Sequence, residues 1–419
     1  MKKVAIIGAG ISGLSMARFL QDRFEVKVFE KEQTPGGLVR CQRVNGSLFH
    51  LCGGHVFNSK LTNVLNWFWN IFDKEKQFSK ADRNSVVIMD SGEYIPYPIE
   101  NHMYLFDNNL QRGFISDLLK IARKESDAPT NFEDFLRGRF GDTLYDAYFC
   151  PYNEKVWRRS LKDVPLSWLE GKLPMPIVEE MIYNNMNHTK EKEFVHSSFW
   201  YEKVGGSQFL ADTLSSGLDI KYGEDIESVI YDRTSRQWTI SGETFDKVVF
   251  CGNIKDMVKM ISGADLDKFR PDVEALDYHG TTAVFCEIDA NPYSWIYLPS
   301  RAYQSHRIIC TGNFSETNNG KELSDGRITA TIEFTDEISK DDIMDNLKRI
   351  PLRPKYLTHV YHKYTYPIQK NDTREMILNL KKTLEPLDFY FTGRFADWEY
   401  YNMDAAMGAA MNLSAKIES

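Results

Sequence analysis

Near its start the chain runs four apolar residues directly into three spaced glycines. Val4-Ala5-Ile6-Ile7 is a continuous, mostly β-branched run, the pattern of a strand buried on both faces of a parallel sheet. Gly8-Ala9-Gly10-Ile11-Ser12-Gly13 follows at once, and Leu14, Ala17 and Leu20 then recur at helical spacing. Residues 25–30 (EVKVFE) read as a second strand ending in Glu30. This is GxGxxG in its full strand–helix–strand setting, so an α/β fold opening on a Rossmann-like dinucleotide-binding unit is expected. Gly8 allows the tight turn, Gly10 lets the backbone approach a pyrophosphate, and Gly13 lets helix and strand pack closely. Ser12 stands in the first helical turn, where free N–H groups and the positive dipole end favour phosphate. Glu30 stands where an acid holds ribose hydroxyls.

Composition narrows what the rest can be. At 419 residues, two or three domains are expected. A formal net charge of -8 removes any global pull toward nucleic acid or an anionic membrane, so a bound anion needs a local cluster of Arg and Lys. Cys41, Cys52, Cys150, Cys251, Cys286 and Cys310 form no CxxC pair and no zinc spacing, which reads as reduced thiols in a cytoplasmic protein with no metal site. Glycines interrupt the N-terminal apolar run, which fits a buried strand better than a signal peptide. No apolar stretch is long enough to span a bilayer, so no stable membrane insertion is expected.

Further along, residues 61–72 (LTNVLNWFWNIF) have helical periodicity, and 85–97 read as a hairpin. Residues 103–187 are dominated by helical spacing. Short strands are expected within 219–250 and again within 283–334, then at 389–391, with a last helix from 403. No linker separates these blocks, so the domains interleave. The expected division is a discontinuous dinucleotide domain from 1–76, 198–262 and 383–419, a helical insertion at 102–193, and an antiparallel sheet substrate domain from 77–101 and 263–382.

Several segments, in order along the chain, carry a family resemblance. After Glu30-Lys31 comes Gly36-Gly37-Leu38, a pattern similar to FAD-binding proteins of the amine oxidase and protoporphyrinogen oxidase type. Gly53-Gly54-His55-Val56-Phe57, Tyr94-Ile95-Pro96-Tyr97-Pro98 and Pro151-Tyr152-Asn153-Glu154-Lys155-Val156-Trp157, with Trp168 following, narrow it. So do Trp295-Ile296-Tyr297 with Arg307, the pair Tyr366-Pro367, and Gly393-Arg394-Phe395 running into Tyr400-Tyr401-Asn402-Met403-Asp404. Together they resemble the UDP-galactopyranose mutase family.

That resemblance implies FAD, needed in its reduced form, and a UDP-sugar substrate interconverted between pyranose and furanose forms by attack of flavin N5 on the anomeric carbon. It is compatible with a homodimer and leaves the reductant, NAD(P)H or another, open. It implies that Arg307 carries diphosphate charge with its bidentate fork, and that Tyr297, Tyr366 and Tyr400 donate to the same group; packing explains any one tyrosine equally well. It places Asn153, Trp157 and Asn402 at the substrate, with a core position the competing reading for Trp157. Gly53, Gly54, His55, Gly393, Arg394, Met403 and Asp404 fall to the cofactor, His55 also to catalysis. An oxidase or desaturase with the same FAD pattern is the alternative.

The pattern breaks at three places. The family's second arginine is Lys172 here, which keeps the charge and loses the fork. Phe314 stands where a tyrosine is expected, and Asn402 where an aspartate is. Arg158 or Arg159 could supply a relocated contact.

Overall fold

The computed structural model describes residues 1–123, 128–166, 176–189 and 198–418. Trp168 and Lys172 therefore lie outside the described residues. Among those described, the opening unit belongs to a five-stranded parallel sheet in the order Phe389–Phe391, Lys247–Phe250, Lys3–Ile7, Glu25–Glu30, Ile220–Tyr222. Both faces are covered. Val4, Ile6, Val28 and Val249 pack toward the helices Ile11–Leu20 and Met403–Glu418, whereas Ala5, Ile7, Phe29, Val248 and Phe250 pack with Trp238, Met257 and Trp398. Double-sided burial is why these strands read as unbroken apolar runs.

Gly13 shows how tightly the first turn closes. A Cβ there would lie 1.9 Å from the Gly8 carbonyl oxygen, so only glycine lets this helix sit on this strand. Gly8 itself has φ +104°, a backbone conformation that side chains oppose.

A second, larger sheet is built mostly from later parts of the chain. Its seven strands run Lys355–Ile368, Asp277–Asp289, Arg327–Thr335, Arg307–Ile309, Trp295–Tyr297, Ser85–Ile88, Tyr94–Pro96. It is antiparallel except where Trp295–Tyr297 meets Ser85–Ile88 in parallel, which departs from the wholly antiparallel expectation. Residues 78–82 also differ from their expected sheet: Phe78–Asp82 pairs instead with Ser198–Glu202. A small four-stranded sheet, Glu243–Phe245 to Ile261–Ser262, backs the first unit.

Between Tyr94–Pro96 and Ser198–Glu202 the described residues form the helices Asn108–Arg123, Phe132–Leu144, Cys150–Trp157 and Val178–Asn187. A π turn, Tyr145–Phe149, precedes Cys150–Trp157. Pro151 has no N–H to return to the turn before it and its ring crowds that turn, which accounts for the local widening. No helix among the described residues is long and apolar enough to cross a membrane.

Candidate active site

The antiparallel pairing of Trp295–Tyr297 with Arg307–Ile309 sets Tyr297 directly opposite Arg307, so both side chains leave the same face of the large sheet. Arg307 donates through Nη2 to the Tyr366 hydroxyl at 3.2 Å. Tyr366 and Tyr400 stack with ring centroids 5.3 Å apart, and the Arg394 guanidinium lies 4.0 Å from the Tyr400 ring and 5.4 Å from the Tyr366 ring. Four of the expected residues, widely spread in sequence, thus form one cluster of two arginines and two tyrosines.

The backbone holds this cluster in register. The fully buried Trp398 donates its indole N–H to the Ile368 carbonyl at 3.0 Å, and Gln369 Nε2 donates to the Trp398 carbonyl at 3.0 Å. The strand end carrying Tyr366 is thereby tied to the segment carrying Arg394 and Tyr400. Asp397 accepts from Gly393 N and Thr392 Oγ1 and pairs with Lys381, which fixes the Gly393-Arg394 turn.

Glu333 completes the frame. It is fully buried, accepts from Arg307 Nε, and takes the Gly53 amide on its other oxygen at 2.8 Å. Burial alone would lower the Arg307 pKa, but Glu333 holds it well above its ordinary value. One carboxylate therefore joins the arginine to the Gly53-Gly54-His55 segment. Sequence reading missed Glu333, although an acid inside the apolar run Ile328-Thr329-Ala330-Thr331-Ile332-Glu333-Phe334 was a usable signal. It also missed Arg83, which donates Nη2 to the Tyr297 hydroxyl at 2.7 Å and lies near the Tyr97 and Trp295 rings. Nothing in the local sequence around Arg83 marks it.

His55 is placed by His50, whose Nδ1 accepts the His55 amide at 3.3 Å. His50 also meets the Tyr201 hydroxyl at 2.8 Å and Ser207 Oγ at 3.2 Å. Burial, with His55 nearby, pushes its pKa down to about 3. The His55 pKa is lowered to about 4 by burial and then by Arg394. Both rings are neutral at neutral pH.

At the opening unit, Glu30 is buried and accepts Ala9 N at 2.6 Å and Glu32 N at 3.0 Å, one on each oxygen. Gly10 has open space where a Cβ would be, and Gly36 N donates to Ala9 O, which brings Gly36-Gly37-Leu38 against it. A Cβ on Gly393 would lie 3.1 Å from Ser12 Oγ, so the C-terminal turn meets the same helix start. Lys31 is exposed. Met403 is buried, and Asp404 lies in the first turn of Met403–Glu418.

The remaining candidate residues divide between core and surface. Trp157 is only 4% exposed and packs edge-on against Phe132 inside the helical layer, so its indole is a core group rather than a cleft wall. Asn153 donates one Nδ2 hydrogen to the Phe149 carbonyl at 2.8 Å, the back-bond of a helix interior, which leaves its carbonyl oxygen and a second N–H to offer a ligand. Asn402 is exposed, and its carbonyl accepts Ala406 N as the last helix begins. Phe314 is buried among Trp295, Phe199 and Tyr201, so the hydroxyl it lacks would have met a hydrophobic cluster rather than the arginines. Arg159 is taken by Asp277 at 2.6 Å, and Arg158 is an exposed left-handed helix cap.

Comparison with known proteins follows the same lines. Residues 6–74 match the NAD(P)-binding Rossmann-like domain family. A dTDP-fucopyranose mutase of Escherichia coli is 23% identical over 431 aligned positions, covering 99% of this chain and 98% of that protein. A Klebsiella pneumoniae protein described as "Probable UDP-galactopyranose mutase" is 27% identical over 45% of this chain and 48% of its own length. A crystal structure of reduced UDP-galactopyranose mutase superposes with a TM-score of 0.86 at 20% identity, covering 100% of this chain and 96% of that one.

The sequence resemblance implies FAD, and the residues present fit it. Gly10 leaves the cradle a pyrophosphate needs, and Glu30 keeps a second lone pair on each oxygen. His55 Nε2 and Arg394 Nε are buried polar atoms without a hydrogen-bond partner among the described residues, which a polar cofactor would satisfy. Along nearly its whole length the chain is similar in sequence to a dTDP-fucopyranose mutase, and its fold is that of reduced UDP-galactopyranose mutase.

Proposed function

We propose that this chain is a flavin-dependent mutase that interconverts the pyranose and furanose forms of a nucleoside-diphosphate sugar, UDP-galactose being the first substrate to test. The observation that carries this reading is the cluster of Arg307, Tyr366, Tyr400 and Arg394, joined through Glu333 to the Gly53-Gly54-His55 segment. Arginine forks and phenolic donors are the chemistry that holds a diphosphate, and here they adjoin the segments assigned to the cofactor.

Bound and reduced, the flavin supplies an electron-rich N5 as nucleophile toward the anomeric carbon. The chain's own residues do the rest. Gly8, Gly10, Ser12, Gly13 and Glu30 hold the dinucleotide, with Lys31, Gly37 and Leu38 beside it. Gly53, Gly54, His55, Gly393, Arg394, Met403 and Asp404 close around it. Arg307, Tyr297, Tyr366 and Tyr400 hold the diphosphate and stabilise its charge as the bond to the sugar breaks. Asn153 and Asn402 offer further polar contacts, and Lys172 supplies a second cation. We assign the dinucleotide to the unit formed by 1–76, 198–262 and 383–419, the sheet domain to 77–101 and 263–382, and the insertion to 102–193. The six unpaired cysteines support a cytoplasmic location.

A second substrate has a specific observation in its favour. The relative aligned over nearly the whole chain is a dTDP-fucopyranose mutase. Anaerobic incubation of the reduced holoprotein with UDP-galactopyranose and, separately, dTDP-fucopyranose distinguishes them by which furanose appears on chromatography. Conversion of neither sinks both readings.

A further inference from the structure

Lys155 lies in the motif at 151–157, and its side chain reaches the turn that joins Tyr297 to Arg307. From the Cys150–Trp157 helix its Nζ donates to the Leu298 carbonyl at 2.7 Å and to the Ser305 carbonyl at 2.9 Å. These two carbonyls close the turn between Tyr297 and Arg307. Leu298 follows Tyr297 directly, and only His306 separates Ser305 from Arg307. No carboxylate reaches the ammonium among the described residues, although most of the side chain is buried. A buried cation held only by neutral carbonyls is costly unless another charge arrives.

We propose that Lys155 is the cation that answers the substrate's diphosphate from behind this turn, so that nucleotide-sugar binding and protonation of this amine are linked. The inference rests on the nucleotide-diphosphate reading above. Arg307 cannot supply all the charge, because Glu333 already neutralises it. The groups facing Lys155 are few. The Tyr303 ring, 4.6 Å away, and Arg301 belong to the turn, and Asp90 lies between Ser85–Ile88 and Tyr94–Pro96. His306 lies beside it and is itself kept neutral by burial. Glu154, on the same helix, is taken by Arg301 at 2.7 Å. Burial pushes Lys155 down to about 7, with Asp90 opposing and Arg301 adding. A dianion arriving nearby favours the ammonium. Below pH 7 the amine is already charged. Above it, binding takes up a proton, and affinity falls as pH rises toward the bound-state pKa.

The test is the dissociation constant of UDP-galactose and of dTDP-fucose for the FAD-loaded protein from pH 6 to 9. Both probes are diphosphate diesters, and the diphosphate does not titrate in that range. The expected wild-type constant is level to pH 7 and weakens by about tenfold by pH 8.5. Lys155→Met should bind weakly at every pH without that trend, and Lys155→Arg should bind tightly without it. If Lys155→Met loses its flavin, proton uptake by the wild type in two buffers of different ionisation enthalpy decides instead, and no uptake at pH 8 overturns the proposal. So does a flat wild-type profile, or a trend that survives in Lys155→Met. Binding of either probe with no Lys155 dependence leaves the nucleotide reading standing. Binding of neither at any pH removes that reading and the Lys155 role with it.

Discussion

The Glu333 carboxylate that holds Arg307 Nε also takes the Gly53 amide, so the proposed anion site and the proposed cofactor segment share one buried acid. Replacing it by glutamine keeps the shape and removes the charge. Arg307 then loses its counter-ion, and an amide N–H must face either the guanidinium or the Gly53 N–H. The expected cost to stability is about 2–4 kcal/mol, below the full penalty of an orphaned buried charge because the Arg307 side chain keeps 21% exposure. Urea unfolding of Glu333→Gln measures it. An unchanged midpoint at an unchanged slope contradicts the pairing.

Arg307→Lys preserves the charge and discards the fork. It should lose the link to either Tyr366 or Glu333, and one of two oxygens on a bound diphosphate. One charge-assisted hydrogen bond is worth about 1.5–3 kcal/mol, which corresponds to roughly ten- to hundredfold weaker nucleotide binding. Titration of UDP or dTDP into the holoprotein reads this directly. Affinity equal to wild type would show that Arg307 does not touch the diphosphate.

The stacked pair Tyr366 and Tyr400 should behave as a unit. Tyr366→Phe keeps the stack and loses the hydroxyl that accepts from Arg307, while Tyr400→Leu removes the ring beneath Arg394. A double-mutant cycle on nucleotide affinity should show coupling of about 0.5–1.5 kcal/mol. Strict additivity would mean that the two act independently.

His50 makes a pH-dependent prediction. Its folded pKa of about 3 lies far below the ordinary histidine value of 6.5, because burial disfavours the charged ring. Above pH 6.5 it is neutral in both states and contributes no slope. As pH falls from 6.5 toward 3 the unfolded chain takes up a proton that the folded chain refuses, so stability is lost by about 1.4 kcal/mol per pH unit. His50→Gln should be less stable at pH 7.5, having lost bonds to Tyr201, Ser207 and the His55 amide, yet should decline less steeply between pH 6 and 4.5. Chemical unfolding at four pH values checks it. Equal slopes would mean that His50 is protonated in the folded protein.

The parts of this fold that were legible from sequence are those whose cause is local. Residues 4–30 declared themselves because a strand buried on both faces must be apolar throughout, and because Gly13 must approach Gly8 more closely than any side chain permits. Arg307, Tyr366 and Arg394 were legible through resemblance, and the structure brings them together. Glu333 was not, since its meaning depends on two partners from distant segments, Gly53 and Arg307. The Lys355–Ile368 strand was not singled out either. Its half-buried mixture of aromatic and polar residues follows from pairing with Asp277–Asp289 along one edge, a tertiary circumstance. Trp157 went the other way: its motif pointed to a cleft, while burial in the helical layer had the stronger claim.

The most direct test of the central claim counts sugar turnovers against flavin electrons. Holoprotein reduced anaerobically should convert many equivalents of a nucleotide sugar from pyranose to furanose, or the reverse, while its flavin stays reduced, and the oxidised protein should convert none. Turnover that consumes oxygen, or a flavin that changes redox state once per molecule of product, would contradict the mutase account and place the chain with the oxidases of the same fold.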